Sequence, residues 1–190
     1  QPMPVARPSL PEPSVFRISP LISGTLSSLY FVLTIPLLFL LPASGTRTSA
    51  GWLLLGIAIG AMALGAVLSE QVILDSQGIR VAYPRWVPHF FRHGWFLSWR
   101  EIQGLEPRST SQGGLVYYLL SSSGQAYLLP MRVAGFTRLV RQVEAYTGID
   151  TEAVRPLAQP WMYLILLLFT LLLFLVDGWF IWVSLTQAQT

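Results

Sequence analysis

His89 and His93 stand four residues apart in the stretch 88–94. On a helix that spacing sets two imidazoles on one side, which is part of a zinc site. A tetrahedral site needs more ligands, and the nearest acids, Glu101 and Glu106, lie beyond an expected strand. Around the histidines stand Trp86, Phe90, Phe91, Trp95 and Phe96. Aromatic rings mixed with Arg and His suit the headgroup layer of a bilayer, where an apolar ring and a polar edge are both accommodated. Membrane-interface docking is therefore the preferred reading of Trp86, Phe90, Phe91 and Trp95, ahead of packing within a domain and far ahead of a metal.

Other chemistry is sparse. The serines cluster in expected turns, with no base and orienting acid placed for nucleophilic catalysis. All 12 basic residues are arginine, so a phosphate loop ending in lysine is excluded. Cysteine is absent, which removes disulfides, thiolate metal sites and a Cys nucleophile. Glu101, Glu106, Glu144, Asp150 and Glu152 read as solvated faces and helix ends. No catalytic residue, metal or cofactor is expected, and the chain reads as a non-enzyme. The net charge of +3 is too small to argue for nucleic acid.

The best basic group is Arg132, Arg138 and Arg141. A solvated face is the plain reading. The sharper one is contact with anionic lipid or with acidic loops of a protein, each arginine near such a surface being worth about 1 kcal/mol. A chain already held by apolar spans has little need of a weak lipid anchor, so a protein partner is the better use of these three.

The elements that must position these residues follow from hydropathy. With 53% hydrophobic residues and mean hydropathy +0.54, the chain is too apolar for an ordinary soluble domain. The excess falls in three runs, about 21–42, 51–68 and 161–185, each near the roughly 20 residues that cross a bilayer as a helix. The first is expected to be retained rather than cleaved as a signal, and Pro36 should kink it. The second carries Gly56 and Gly60 at helical spacing with Ala63 on nearly the same stripe, an invitation to close helix approach. Its expected partner is the first span, with a helix of another protein as the alternative. The third holds Asp177, the one acid inside any of the long apolar runs. That carboxyl is read either as reaching the interface or as a polar contact with a neighbouring subunit.

The intervening region, 70–156, is the water-facing part. Val72 to Leu74 and Ile79 to Tyr83 flank a turn at 75–78, and Ile79, Val81 and Tyr83 alternate with Arg80 and Ala82. Strand patterns recur at 95–99, 102–107, 115–120 and 125–129, with a second turn at 121–124. A helix is expected over 135–148, with Phe136, Leu139, Val140 and Val143 on its apolar face and Arg138, Arg141 and Gln142 opposite. Gly148 fits its stop. Several short antiparallel strands and a closing helix predict a small barrel or sandwich. The organisation expected is thus a Pro-rich arm (1–20), a transmembrane hairpin (21–69), a β-rich domain (70–156), a third span (157–185) and a short tail (186–190). Apart from Arg47, every arginine lies in the arm or the domain. The positive-inside rule then sets arm and domain on the cytoplasmic side and the C-terminus opposite.

Gly78-Ile-Arg, followed by Leu97-Ser-Trp-Arg-Glu-Ile102, a hairpin and an amphipathic helix, resembles bacterial pleckstrin-homology-like (PH-like) domains. A more specific likeness covers roughly 70–183. Gly113-Gly-Leu-Val-Tyr-Tyr118, Leu128-Leu-Pro-Met-Arg-Val-Ala-Gly-Phe136 and Pro156-Leu-Ala-Gln-Pro-Trp-Met-Tyr163 resemble a family of small cyanobacterial membrane proteins carrying such a domain. The hairpin followed by a β-rich domain also looks like the photosystem I assembly factor of plastids and cyanobacteria, which has no third span. These resemblances imply a thylakoid location and a role in photosystem biogenesis. The function expected is a non-enzymatic accessory or assembly factor that lies in the lipid bilayer and binds a larger membrane protein complex, such as a photosystem or its assembly intermediate. The alternative is a lipid-sensing or regulatory module using the PH-like domain. A transporter is disfavoured, since three spans with one acid offer no polar path in a monomer.

Overall fold

The computed structural model describes residues 13–40, 47–88, 93–109, 115–151, 154 and 160–187. The chain forms two compact units, one of Gln1–Ile18 with Ser69–Leu157, the other of Ser19–Leu68 with Ala158–Thr190.

The first unit is built on two antiparallel sheets. β1 (Ser14–Arg17), β2 (Gln71–Leu74), β3 (Gly78–Ala82) and β4 (Trp95–Ser98) pair in that order. β5 (Ile102–Ser109), β6 (Leu115–Ser121) and β7 (Ala126–Leu128) form the second sheet. The closed barrel among the expectations is therefore corrected. A 3-10 turn, Trp99–Glu101, carries the chain out of the first sheet, and a register shift between Ile102 and Gly104 opens the second. The strands stay as separate sets of four and three.

Period-two patterning explains which faces meet. Ile79 and Val81 of β3 and Leu97 of β4 are buried, while Arg80 and Phe96 face out. The inward residues join Tyr117 and Leu119 of β6 in one core, closed by the helix α3 (Phe136–Thr147). Phe136, Leu139, Val140 and Val143 are the buried residues of α3, as the helical periodicity predicts. Burying a side chain such as Leu139 is worth roughly 1.5–3 kcal/mol. α3 ends at Gly148, whose φ of 72° suits glycine and whose N–H bonds the Glu144 carbonyl at 2.7 Å.

Part of the Pro-rich arm belongs to the domain: Ser14–Arg17 form the edge strand β1, paired to β2 from Ser14↔Leu74 to Arg17↔Gln71. Phe16 enters the core, the Ala134 N–H bonds the Arg17 carbonyl at 2.8 Å, and Gln142 Nε2 bonds Ser14 Oγ at 3.3 Å. The alternation of exposed Val15 with buried Phe16 supplies the driving force.

The second unit holds α1 (Pro20–Leu40), α2 (Arg47–Leu68) and α4 (Pro160–Gln187). Each contains a stretch long and apolar enough to cross a membrane: Pro20–Phe39, Ala50–Leu68 and Trp161–Gln187. α1 packs chiefly along α4 and less against α2. Its buried positions Ile22, Thr25 and Val32 lie on one helical stripe. Most of the surface of α2 and α4 is apolar and exposed, as lipid contact requires.

Candidate functional site

The aromatic and basic side chains gather at one end of the first sheet. Arg17 pairs with Gln71, Gln71 with Ala82, and Val81 with Trp95, so these positions mark a common edge. The segment joining β3 to β4 lies at that edge. Within it Val87 is buried and its N–H bonds the Pro84 carbonyl at 3.0 Å. The Tyr83 hydroxyl donates to Glu70 Oε2 at 2.5 Å. Gly94 starts the return so close to β3 that a Cβ there would stand 2.4 Å from the Val81 carbonyl oxygen. The result is an open cavity of about 420 Å³, lined among others by Arg80, Tyr83, Arg85, His93, Trp95 and Phe96. The Arg80 guanidinium lies 5.3 Å from the centroid of the Phe96 ring, its cross-strand partner.

The residues singled out for the membrane interface separate. Trp86 is 54% exposed, as a headgroup contact requires. Trp95 shares the parity of buried Leu97 and packs on the core, its ring 5.1 Å from that of Tyr127. It is half-buried, with part of the ring on the core and part lining the cavity. His89, Phe90 and Phe91 lie outside the described residues; His93 is exposed. Among the described residues no three acids or histidines stand together as a metal site.

Arg132, Arg138 and Arg141 are all exposed. Arg138 and Arg141 share the outer face of α3, three residues apart, and Arg132 lies on the segment before it. Arg138 also lines a groove of about 390 Å³ with Pro13, Ser14, Val15, Phe16, Ala134 and Gly135.

In the helical unit the glycine pair divides. Tyr30 of α1 covers Gly60, where a Cβ would meet its hydroxyl at 2.7 Å, and that hydroxyl donates to the Ile57 carbonyl. Gly60 thus serves the hairpin itself, while Gly56 has open space above it. Asp177 is half-exposed, on the α4 stripe that includes Tyr163, Leu167, buried Thr170, Phe174 and Ile181. It has no hydrogen-bond or ionic partner among the described residues.

The sequence reading missed the Arg80–Arg85–Phe96 cavity. Alternation already turned Arg80 outward, but only the register brings Phe96 beside it. It also missed Trp99, whose indole N–H donates to the Asp75 carbonyl at 2.8 Å and whose ring stacks on Tyr146 at 4.5 Å. Trp99, within the stretch Leu97–Ile102, therefore acts as a structural pin.

The molecule is of a class defined by a small two-sheet domain threaded between helices of membrane-spanning length. The chain belongs to the family of a protein from the cyanobacterium Synechocystis sp., described as uncharacterized protein slr0269, with 57% identity over 161 residues, covering 84% of this chain and 81% of the relative. That alignment is longer than either compact unit, so it takes in parts of both. Comparison with protein-family models finds no match, and no solved structure matches.

Proposed function

We propose that this chain is a non-enzymatic accessory or assembly factor whose three apolar helices lie in the bilayer and bind a larger membrane protein complex. The observation that carries this reading is Asp177. A carboxyl at the centre of a spanning helix costs about 2.5–3.5 kcal/mol unless a donor or cation meets it, and less toward the interface. The apolar helices of this chain offer it no such partner among the described residues. A donor on a neighbouring protein would meet the need. The exposed arginines 132, 138 and 141 would add contacts to acidic loops of the same complex.

The family's presence in a cyanobacterium and the resemblances in the sequence support a photosynthetic membrane, with a photosystem or its assembly intermediate as partner. Seven strands in two antiparallel sheets, followed by a terminal helix, favour the PH-like reading of the domain. The arginine distribution favours the cytoplasmic side for the domain and the opposite side for the C-terminus.

The test is extraction of native membranes in mild detergent, followed by native electrophoresis and mass spectrometry of what migrates with the chain. Wild type is expected in a large complex. Asp177→Leu should move a major share of it to the free form without altering hydrogen exchange in the two-sheet domain. A wild-type chain that migrates only as a free monomer would refute the reading.

A further inference from the structure

We propose that the free edge of β1, beside the start of α3, is a docking groove for an extended acidic segment of a protein partner, which adds to the sheet as a further strand. The inference deepens the proposed function, resting on its reading that the chain meets a protein partner.

The backbone of β1 defines the site. β1 pairs with β2 along one edge only. On the other edge the Arg17 carbonyl accepts the Ala134 N–H at 2.8 Å and Ile18 bridges to Val133. The covering segment then turns at Gly135 into α3 and leaves the rest of that edge bare. Backbone groups of successive strand residues point to alternate edges, so residues 15 and 17 turn theirs to the same side. The N–H and C=O of Val15 therefore face away from β2, and among the described residues neither has a partner. Beside them runs the groove of about 390 Å³. An open edge of this kind is a template for strand addition.

Side chains around the edge select what the added strand carries. Arg138 lines the groove, is exposed and makes no ion pair among the described residues. Arg17, two residues along from Val15, is also exposed and equally unpaired. No acid is among the lining residues. Ser14, half-buried at the groove, accepts from Gln142 at 3.3 Å and donates its own hydroxyl to nothing among the described residues. Guanidinium groups and a spare hydroxyl donor match a carboxylate side chain, which takes charge-assisted hydrogen bonds from both. Main-chain pairing would fix the strand, and the carboxylate would choose it. The same charges disfavour a second copy of this chain, since β1 against β1 would bring two arginine-rimmed edges together.

The experiment uses the full chain in neutral detergent and terminally blocked nonapeptides of alternating valine and threonine. Aspartate is set at each central position in turn, with asparagine at the same positions for comparison. Fluorescence anisotropy should show saturable binding of the best aspartate peptide below about 1 mM, and binding of its asparagine form about fivefold weaker. Arg138→Gln should weaken the aspartate peptide about fivefold and leave the asparagine peptide within about twofold. Arg141→Gln, on the same helix but outside the groove, should leave both within about twofold. N-methylation of the peptide backbone along one edge should weaken binding about tenfold or more, and along the other edge should not. In the chain, Val15→Pro removes the outward N–H, a change that an edge strand tolerates. It should weaken binding about fivefold while the β2 amides exchange as in wild type.

No binding of any aspartate peptide, equal loss in Arg138→Gln and Arg141→Gln, or indifference to methylation of either edge would overturn the proposal. So would binding seen only with a chain that begins at residue 13, which would assign the groove to the chain's own N-terminal residues. A dimer abolished by Val15→Pro would assign it to a second copy instead. Native electrophoresis of solubilised membranes separates this failure from that of the assembly reading. A wild-type chain that migrates as a free monomer yet binds the peptide sinks the assembly reading, whereas a chain held in a large complex that binds no peptide sinks only the groove.

Discussion

Trp99 offers the most exacting test of how the domain is held together. Its side chain joins three elements that sequence separates. The indole N–H reaches the Asp75 carbonyl in the β2–β3 turn at 2.8 Å, and the backbone N–H reaches Gln77 at 3.2 Å. The ring stacks on Tyr146 of α3 at 4.5 Å, with planes only 11° apart. Trp99→Phe keeps a ring over Tyr146 but removes the donor, a loss of about 1 kcal/mol. Trp99→Ala also removes the stack and the buried ring area. A fully buried Trp→Ala costs about 3–5 kcal/mol, and half-burial here brings that to about 2–3. In the full chain in detergent, hydrogen exchange read by mass spectrometry should show α3 and the β2–β3 turn opening about fivefold more often in Trp99→Phe. The corresponding factor in Trp99→Ala is roughly 30 or more. A cycle with Tyr146→Ala should return a coupling of about 1 kcal/mol, the worth of the stacked pair. Wild-type exchange in Trp99→Ala, or a cycle with no coupling, would refute the pin and return the motif to the search for a ligand role.

Two further perturbations probe the packing in each unit. Gly78→Ala would set a Cβ 2.2 Å from the Leu97 carbonyl oxygen, forcing β3 and β4 apart at about 2 kcal/mol or more, whereas Gly104→Ala meets nothing within 4 Å and should stay within about 0.5 kcal/mol; exchange of the β3 and β4 amides distinguishes them. Thr25 of α1 is 1% exposed and its Oγ1 has no hydrogen-bond partner among the described residues, so Thr25→Val, of the same shape, should stabilise the helical unit by about 1 kcal/mol in a denaturing-detergent titration, and Thr25→Ser should not.

The parts of the fold that were legible in the sequence are those whose periodicity is local. The alternation of Ile79 and Val81 with Arg80, and the helical spacing of Phe136, Leu139, Val140 and Val143, each announce a buried face without reference to anything distant. The same parity rule covers Trp95, which stands two residues from buried Leu97 and shares its face, a placement that its aromatic neighbours do not reveal. Gly56 and Gly60 carry identical spacing signals, and only the placement of Tyr30 separates the engaged glycine from the open one. Arg80 was turned outward correctly, but its partner Phe96 depends on register, which short strands and a long connection leave unspecified.

β1 escaped notice for a different reason, and its place alters where the domain begins. A four-residue strand bounded by prolines has little pattern of its own, and its partner β2 lies beyond the whole α1–α2 hairpin. Closing so long a loop carries an entropic cost that four backbone pairs and one buried ring must offset. Yet much depends on the strand. Phe16 fills part of the core, Arg17 accepts the Ala134 N–H, Ile18 bridges to Val133, and Ser14 accepts from Gln142. A fragment beginning at residue 70 would lose all four contacts at once, baring the edge of β2 and the segment that leads into α3. The hairpin is therefore an insertion into the sheet rather than a neighbour of it.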